Sequence, residues 1–373
     1  MAPVVRAIER SPWFKCVVAV TAQHREMLDQ VLSLFGITPA HDLDIMQEGQ
    51  NLYDITCRAL RGLERVLAAE RPDLVLVHGD TTTTFAGALA AFYRQIPVGH
   101  VEAGLRTRNR YSPFPEEMNR HLTGVLADLH FAPTARAREN LLAEGVAPEK
   151  IFVTGNTVID ALFMTVRPAF RFADPLLDAV DYRRERVLLV TTHRRENLGN
   201  PLREVYRALV ELVRRYPDVR VIFPVHRNPA VRRAAEEEMA GEPRIHLIDP
   251  LPYLPFVNLM QRAYLVLSDS GGLQEEAPAL GKPVLVLRNT TERPEALEAG
   301  TVALVGTDRE TVLAAAGRLL DDPAAYRRMA EAVNPYGDGR AAPRVAQGLA
   351  AYFGLAPPPE PFVPAPRRNP APE

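Results

Sequence analysis

Residues 265–294 read Leu-Val-Leu-Ser-Asp-Ser-Gly-Gly-Leu-Gln-Glu-Glu-Ala-Pro-Ala-Leu-Gly-Lys-Pro-Val-Leu-Val-Leu-Arg-Asn-Thr-Thr-Glu-Arg-Pro. The apolar runs at 264–267 and 284–287 have the length and composition of strands buried in a parallel sheet. Small residues at 268–272 follow the first run and open a short helix that we predict over 273–280. Backbone N–H groups at such a turn are free to bind an anion, usually a phosphate, and the helix dipole favours the same charge.

Two acidic residues suggest what that anion belongs to. Glu275 and Glu276 lie one turn into the predicted helix, where a carboxylate can accept hydrogen bonds from a ribose diol. This pattern favours a nucleotide-like ligand. A Gly-Gly pair by itself is more typical of an ordinary tight βα turn, but the polar run at 288–293, directly after the second strand, favours a ligand site.

The composition is that of a globular protein with two domains. The chain has 373 residues, of which 47% are apolar and 24% charged, and its net charge is -2. A chain of this length can form two substantial hydrophobic cores. Its net charge is close to zero, which predicts no nucleic-acid partner. No run of about 18 apolar residues predicts a membrane span.

We expect a cytoplasmic protein. Arg6, Glu9 and Arg10 interrupt the amino terminus, which is therefore unlike a signal peptide. Cys16 and Cys57 are the only cysteines. Both lie in apolar surroundings, which predicts buried thiols in a reducing compartment.

Strands and helices alternate through both halves of the sequence. Strands are predicted at 16–20, 74–77, 98–101, 129–132 and 152–154, then at 187–191, 219–223, 245–247, 264–267, 284–287 and 302–305. This rhythm predicts an α/β protein with two Rossmann-like, doubly wound domains facing a cleft. We expect residues 1–167, completed by a helix at 341–355, to form the first domain and 168–340 the second. The Pro-rich tail at 356–373 is expected to be disordered.

The amino terminus departs from the usual order of such a domain. Met1–Glu9 reads as a helix with Pro3 near its start, and no strand precedes it. We therefore expect the first sheet to lack its first strand, and we interpret the chain as truncated or begun one element late. Such a gap would expose apolar surface and unpaired strand edges.

Carboxylates collect where strands of the first half end. Asp80 and Glu102 follow two of the predicted strands, and Glu116 and Glu117 follow the next loop. The carboxyl ends of parallel strands share one edge of a sheet, and clustered carboxylates raise one another's pKa, which suits general acid and base roles. Taken singly, each is more typical of a helix cap or turn. Arg120 lies four residues after Glu116, a spacing that also suits a solvated ion pair.

Histidine–arginine pairs follow two strands of the second half. His193 with Arg194, and His226 with Arg227, are placed to hold a diphosphate. One such histidine alone is usually structural. A metal site built from the i, i+2 pairs of His and acid at 78–80 and 100–102 stays open, but no further cluster supports it, so we predict no metal. Dinucleotide, Walker and serine-hydrolase motifs do not occur.

Seven segments together resemble the non-hydrolysing UDP-N-acetylglucosamine 2-epimerases. They are His78-Gly-Asp80, His100-Val-Glu-Ala-Gly-Leu-Arg106, Pro115-Glu-Glu-Met-Asn-Arg120, Thr192-His-Arg-Arg-Glu-Asn197, Pro224-Val-His-Arg-Asn-Pro229, Asp269-Ser-Gly-Gly-Leu-Gln-Glu-Glu276 and Asn334-Pro-Tyr-Gly-Asp-Gly339. No single segment is specific, but the set is, and it covers nearly the whole chain before the tail.

The resemblance implies a glycosyltransferase-B-type fold and an isomerase without cofactor. It implies interconversion of UDP-N-acetylglucosamine and UDP-N-acetylmannosamine by anti elimination of UDP to 2-acetamidoglucal and readdition, in support of cell envelope polysaccharide synthesis. It also implies a homodimer. Glu102, Asp80 and Glu116 match the carboxylates that move the C2 proton and assist elimination.

The remaining site residues are assigned on the same resemblance. Arg120 matches the basic partner of Glu116, and His193 a residue near the diphosphate. The UDP-binding set is Arg194, His226, Ser270, Gly271, Gly272, Glu276 and Arg293, with the Ser-Gly-Gly turn at the phosphates and Glu276 at the ribose. Gln23, His24 and Arg25 resemble a segment that helps to bind a second, allosteric UDP-N-acetylglucosamine.

Three alternatives stay open at this point. A glycosyltransferase of the same fold would use the same nucleotide turn, because a fold does not determine a function. A hydrolysing epimerase would release free N-acetylmannosamine. A truncated chain would bind the UDP-sugar without turning it over.

Overall fold

The chain folds into two α/β units, each built on a parallel sheet. The structure is a computed structural model of the chain and describes residues 1–23 and 25–365. The first unit comprises Met1–Met164 with Tyr336–Val363, and the second contains Thr165–Pro335. The observed division after residue 164 lies close to the predicted one after residue 167. The prediction of an α/β protein with parallel sheets is confirmed.

The first unit holds a four-stranded sheet and a separate strand pair. Its strands are β1 (Ala19–Val20), β2 (His41–Asp42), β3 (Val75–His78), β4 (Val98–Val101), β5 (Leu129–Ala132) and β6 (Ile151–Val153). The larger sheet has the order β3-β4-β5-β6, and β1 pairs in parallel with β2. The sequence predicted a strand at 16–20 and none at 41–42. Strand β1 is shorter than the predicted strand at 16–20 because, within the described residues, it pairs with a neighbour on one side only.

Helices cover both faces of the first unit's sheet. They are α1 (Ala2–Glu9), α2 (Arg25–Phe35), α3 (Leu52–Glu70), α4 (Thr82–Tyr93), α5 (Glu116–Leu126), α6 (Ala135–Ala143), α7 (Thr157–Thr165) and, from the end of the chain, α16 (Ala341–Tyr352). Thr81 caps α4 through the N–H of Thr84. Asp160 accepts the N–H groups of Ala341 at 3.1 Å and Ala342 at 2.8 Å, which fixes the start of α16 against α7.

The second unit has six parallel strands in a doubly wound order. They are β7 (Arg186–Thr191), β8 (Val219–Pro224), β9 (Ile245–Ile248), β10 (Leu265–Ser268), β11 (Val284–Val286) and β12 (Val302–Leu304). Their order is β12-β11-β10-β7-β8-β9. The chain runs outward from β7 to β9 and then returns to β10 on the other side of β7. The gap between the ends of β7 and β10 is thus the topological switch point, where ligands bind in such sheets.

Eight helices of the described residues pack in the second unit. They are α8 (Pro175–Ala179), α9 (Asn200–Arg215), α10 (Pro229–Met239), α11 (Tyr253–Arg262), α12 (Leu273–Ala279), α13 (Pro294–Glu298), α14 (Arg309–Asp321) and α15 (Pro323–Ala330). In α9 the apolar residues Leu202, Val205, Leu209 and Leu212 recur at helical spacing and are at most 1% exposed. Leu188, Leu189 and Val190 of β7 are fully buried, so the strand reads as one continuous apolar run.

Two smaller predictions are wrong. Cys57 is exposed and Cys16 is only partly buried, because Cys57 lies on the solvent face of α3 while Ile55 and Ala59 face the core. The tail is not disordered as far as Phe362, which is 5% exposed and donates its N–H to the carbonyl of Val153 at 2.8 Å. Composition missed this contact because a single aromatic residue makes it. Residues 366–373 lie outside the described residues.

A search of the described helices finds none with the length and hydropathy that a membrane crossing requires.

Candidate active site

The switch point of the second unit is lined by polar side chains from two strand ends. Thr191, the last residue of β7, shares a hydrogen bond of 2.6 Å between its hydroxyl and that of Ser268, the last residue of β10. The chain then leaves β7 towards His193 and leaves β10 towards Asp269. This pairing places the loops that follow β7 and β10 side by side.

Asp269 is the acceptor at the centre of this loop pair. Its carboxylate is fully buried and accepts the backbone N–H groups of His193, at 3.0 and 3.1 Å, and of Arg194 at 2.9 Å. His193 Nδ1 lies 2.9 Å from Asp269 Oδ1. Burial alone would raise the pKa of Asp269, but the His193 ring and these N–H groups outweigh it and lower the pKa.

The ionised Asp269 determines which nitrogen of His193 is available. Nδ1 donates to the carboxylate, so Nε2 is the nitrogen left for a ligand. The side chain is 39% exposed, which allows that contact. The ring of His226, from the loop after β8, lies 6.0 Å from the His193 ring between centroids. The structure therefore brings together two of the predicted diphosphate ligands.

Arg194 and the Ser-Gly-Gly turn lie at the same strand ends. Arg194 Nε donates to the carbonyl of Asp269 at 3.3 Å, and Gly271 is close enough that a Cβ built on it would lie 3.8 Å from Arg194 Nη2. Ser270 donates its N–H to the Ser268 hydroxyl at 2.9 Å. Among the hydrogen bonds of the described residues, none uses the N–H of Gly271 or Gly272, so both can bind an anion.

The two glutamates of α12 differ in their partners. Glu276 is 9% exposed and accepts the Tyr253 hydroxyl at 2.8 Å. Burial, with a smaller contribution from Glu275, raises the pKa of Glu276 to about 7. Glu275 is buried and pairs with Arg293 through Arg293 Nε. Arg293, predicted to bind UDP, thus contacts a carboxylate of α12.

In the first unit, Asp80 and Arg120 form an ion pair at the carboxyl end of β3. Arg120 Nη2 lies 2.6 Å from Asp80 Oδ2, and the Arg120 side chain is 11% exposed. Asn119 donates its side-chain N–H to the backbone carbonyl of Asp80 at 2.9 Å. These contacts join the loop after β3 to the first turns of α5, as the predicted clustering of carboxylates at one edge requires.

Glu117 supports this ion pair from behind. It is 1% exposed, and its carboxylate accepts the N–H groups of Thr107, at 3.0 and 3.1 Å, and of Arg108 at 2.8 Å. Arg120 Nη1 lies 3.2 Å from it. Burial alone would raise the pKa of Glu117, but these donors and Arg120 lower it. Arg120 therefore bridges two carboxylates and not Glu116, the partner predicted from the resemblance.

Glu116 occupies a different environment from its neighbour. It is the first residue of α5 and is partly exposed. No hydrogen bond or ion pair of the described residues involves its carboxylate. The Glu116 carboxylate is therefore available to a ligand, whereas the Glu117 carboxylate is hydrogen-bonded to the backbone of Thr107 and Arg108.

Glu102 follows β4 and lies beside His78 at the end of β3. His78 Nε2 and Glu102 Oε2 are 3.1 Å apart. Burial, followed by the positive amino terminus, lowers the pKa of His78. Glu102 has φ +63°, a left-handed conformation that costs a non-glycine residue of order 1 kcal/mol. Such strain is concentrated at functional sites, which supports a functional role for this carboxylate.

His100 is structural. It is buried, its Nε2–H donates to the carbonyl of Gly79 at 2.7 Å, and burial lowers its pKa to about 3. This hydrogen bond fixes the backbone of Gly79, the residue directly before Asp80. In the described part of the chain, no group of three or more His, Cys, Asp or Glu residues is placed to hold a metal ion.

The predicted allosteric segment is described in part. Arg25 pairs with Asp42 at 2.5 Å and with Asp44 at 2.7 Å, and Gln23 accepts the Thr83 hydroxyl at 3.4 Å. His24 lies outside the described residues. An effector would therefore compete with two carboxylates for Arg25.

Sequence reasoning missed two residues that organise the site. Asp269 was quoted in the motif but given no role, and Glu117 was grouped with Glu116. Their signals were present, since an acidic residue directly after a buried strand or at the start of a helix often accepts backbone N–H groups. Which of two adjacent acids turns inward is decided by packing and could not be predicted from their order.

The fold and the two sets of polar residues define an enzyme of the glycosyltransferase-B fold class that acts on a nucleotide sugar. Residues 6–350 match the family model for UDP-N-acetylglucosamine 2-epimerase. The chain belongs to this family.

Individual relatives agree with that assignment. The chain is 54% identical to UDP-N-acetylglucosamine 2-epimerase of Bacillus subtilis, over 95% of this chain and 92% of the relative. It is similar to the epimerase from Neisseria meningitidis solved with UDP-GlcNAc, with a TM-score of 0.85, 48% identity and coverage of 94% and 96%. It is also similar to S. aureus MnaA solved with UDP, with a TM-score of 0.89, 48% identity and coverage of 97% and 96%. These relatives do not favour the glycosyltransferase alternative.

Proposed function

We propose that this protein interconverts UDP-N-acetylglucosamine and UDP-N-acetylmannosamine by inversion at C2. The observation that carries the proposal is a set of polar side chains at the strand ends of each unit. The second unit presents His193, held by Asp269, beside the free N–H groups of Gly271 and Gly272. The first unit presents Asp80 and Glu102 at neighbouring strand ends, with Glu116 nearby on α5.

The second unit is proposed to bind UDP. The N–H groups of Gly271 and Gly272 and the side chain of Arg194 contact the diphosphate, with His226 beside them, and Glu276 accepts the ribose hydroxyls. His193 Nε2 faces the phosphate oxygen that leaves C1. Positive groups there stabilise the charge that develops on UDP as the C1–O bond breaks.

The first unit is proposed to handle the sugar ring. The C2 proton is not next to a carbonyl, so a base alone does not remove it; the leaving of UDP and the loss of the proton must be coupled. A carboxylate takes the C2 proton, the C–H electrons form the C1=C2 bond of 2-acetamidoglucal, and UDP leaves with the C1–O electrons. Return of a proton from the opposite face and readdition of UDP to C1 complete the inversion.

Asp80, Glu102 and Glu116 are the proposed proton carriers. Two faces of C2 require at least two acid–base groups, and these three carboxylates follow β3 and β4 or begin α5 at the same edge of the sheet. Arg120, bound to Asp80, orients that carboxylate.

Conversion of the substrate tests the proposal directly. Purified protein incubated with UDP-N-acetylglucosamine should produce UDP-N-acetylmannosamine, observed by proton NMR of the anomeric signals. The reaction should stop at an equilibrium that is the same from either epimer. Free N-acetylmannosamine would indicate the hydrolysing variant instead, and UDP binding without any product would contradict catalysis by this chain.

We also infer a homodimer, which rests on exposed apolar side chains. They lie on α3, α4 and α5, which pack against one another in that order, and they are Tyr53, Phe92, Tyr93, Leu122 and Val125, exposed by 83%, 56%, 70%, 42% and 85%. A group of this kind is typical of an interface between protein chains.

Substitution within this group should separate the protomers. Val125→Glu is expected to give a monomer, because an unpaired charge in an apolar interface must be desolvated. Light scattering after size exclusion measures the mass. Leu304→Glu, at an exposed apolar position of the second unit, is the matched control and should leave the mass unchanged; equal masses for both variants would contradict the assignment of the interface.

We infer a cytoplasmic setting from the cysteines and from the chemistry of the substrate. Both cysteines are free, as in a reducing cytoplasm, and a UDP-activated amino sugar is a donor suited to cell envelope polysaccharides.

A further inference from the structure

The turn at residues 78–80 is held at three consecutive carbonyl groups, each by a different side chain. The donors come from α4, β4 and α5 and are 5%, 1% and 7% exposed. Because they are buried, solvent competes little for these hydrogen bonds. The bonds run from Thr84 Oγ1 to the carbonyl of His78 at 2.6 Å, from His100 Nε2 to that of Gly79 at 2.7 Å and from Asn119 Nδ2 to that of Asp80 at 2.9 Å.

This turn leaves the regular strand at Gly79. Gly79 has φ +72°, a left-handed conformation that glycine adopts without strain. Its N–H donates to the carbonyl of Val101 at 3.0 Å, directly beyond the ladder that joins β3 to β4. Past this point the chain leaves the sheet, so the direction of its peptide groups depends on the side chains that bind them.

The position of the turn sets the position of two proposed proton carriers relative to each other. Asp80 belongs to the turn, and its Oδ2 lies 2.6 Å from Arg120 Nη2. A Cβ built on Gly79 would lie 3.9 Å from Glu102 Oε2, so the turn also lies against the second carboxylate. An error of about 1 Å in the placement of a reacting group can cost about 100-fold in rate.

The ring of His100 has one hydrogen to donate, and it goes to this turn. A carbonyl can only accept, so His100 Nε2 carries the hydrogen. Burial lowers the pKa of the ring to about 3, so the ring is neutral at pH 7 and Nδ1 carries no hydrogen. Nδ1 has no hydrogen-bond partner in the described part of the chain. With 1% exposure, the ring acts on a substrate only through the backbone that it holds.

We propose that His100 is a positioning residue for Asp80: its Nε2–H fixes the carbonyl of Gly79 and thereby the direction in which the Asp80 carboxylate meets the sugar. The inference rests on the proposed function, which gives Asp80 its task. If His100 served the packing of the core alone, an apolar side chain of similar size would replace it without loss of turnover. The proposal requires a donor at this place.

His130 is the matched control for this proposal. It pairs with His100 in the ladder between β4 and β5, and it is also 1% exposed. Its hydrogen bond goes to the carbonyl of Ala127, which precedes β5 and so lies at the opposite end of the strands from Asp80. Loss of either ring should destabilise the first unit, but only loss of the His100 ring should disturb the turn.

Replacement of each histidine by leucine and by glutamine tests the proposal. Leucine removes the donor, whereas the glutamine amide keeps an N–H donor. The measurements are kcat and KM for UDP-N-acetylglucosamine, Tm, and hydrogen exchange of residues 78–81 followed by mass spectrometry. Thr84→Val removes one hydroxyl that holds the same turn and is the second variant if His100→Leu does not fold.

We expect His100→Leu to lower kcat by about 10- to 100-fold with little change in KM, and to speed exchange at residues 78–81. His100→Gln should recover most of kcat, Thr84→Val should lower it, and both His130 variants should keep it. Equal kcat in His100→Leu and His130→Leu, wild-type kcat in Thr84→Val, or unchanged exchange at residues 78–81 would overturn the proposal. A wild type without turnover would instead refute the proposed function, and exchange at residues 78–81 would still decide whether His100 holds the turn.

Discussion

At the scale of single residues, the contrast between two carboxylates explains most of the proposed chemistry. Asp269 is fully buried yet surrounded by N–H donors, and its pKa is lowered. Glu276 is nearly as buried but has the Tyr253 hydroxyl as its donor, and its pKa is raised to about 7. Hydrogen bonding to the charged form thus outweighs burial at one position and not at the other.

Asp269→Asn should separate binding from turnover. The amide keeps the shape but loses the charge that orients His193, so we expect kcat to fall by about 100-fold or more while UDP still binds. Asp218→Asn is the matched control, because Asp218 pairs with Arg186 at the opposite end of β7. Calorimetric titration with UDP and initial rates give the two readouts. Unchanged kcat in Asp269→Asn would contradict the role of the buried carboxylate.

Glu276 should make UDP binding depend on pH. If the ionised form accepts the ribose hydroxyls, affinity rises as the carboxyl ionises through its pKa of about 7. Between about pH 6 and about pH 8 the wild type should gain about tenfold in affinity relative to Glu276→Gln. Comparison with that variant removes the titration of UDP itself. A constant ratio across this range would contradict the assignment.

Glu276 should also make the stability of the protein depend on pH, and stability should fall where UDP affinity rises. Its folded pKa of about 7 lies above its ordinary value of 4.5. The unfolded chain therefore releases the proton first, and this group's contribution to stability is fully present below about pH 4.5 and is lost as pH rises towards 7. The wild type should lose stability relative to Glu276→Gln over that interval, as measured by urea unfolding.

At the scale of elements, strand ends position the chemistry and were the most predictable feature. All six strands of the second half and the turn after β10 follow from apolar runs that end in small or polar residues. The four-stranded sheet of the first unit follows from the same pattern. Strand β1 was predicted within 16–20, but β2 was not, because residues 41–42 carry no apolar run and pair only through backbone groups.

Helix α5 begins with two adjacent glutamates, and the amino-acid sequence did not predict which of them would be buried. Glu116 and Glu117 occupy its first turn, and only Glu117 turns inward to Thr107 and Arg108. The predicted pair of Glu116 with Arg120 assumed ideal i, i+4 geometry on an exposed face. Arg120 instead contacts the partly buried Asp80 and the buried Glu117, where solvent competes less for the guanidinium than at an exposed Glu116.

The same substitution at the two positions should therefore have opposite effects. Glu117→Ala leaves two backbone N–H groups without an acceptor, removes one of the two carboxylates that Arg120 contacts, and should cost about 2–4 kcal/mol in the free energy of unfolding. Glu116→Ala should change stability by less than about 0.5 kcal/mol but abolish epimerisation. Urea unfolding and initial rates measure these effects. An active Glu116→Ala variant would exclude Glu116 as a proton carrier.

At the scale of the whole molecule, each unit contributes one part of the reaction. The second unit carries the donors that we propose bind a diphosphate, and the first carries the carboxylates that we propose act on a sugar ring. Composition and periodicity predicted two α/β units, and the seven sequence segments predicted the family. Neither predicted the burial of Asp269 and Glu117 or the packing of Phe362, since these depend on contacts between residues far apart in the chain.

Proton exchange at C2 tests the central claim most directly. With UDP-N-acetylglucosamine in heavy water, NMR and mass spectrometry should show deuterium at C2 of both epimers. Asp80→Asn should bind UDP as the wild type does but incorporate little deuterium. Formation of UDP-N-acetylmannosamine without deuterium at C2, or full exchange in Asp80→Asn, would contradict the account.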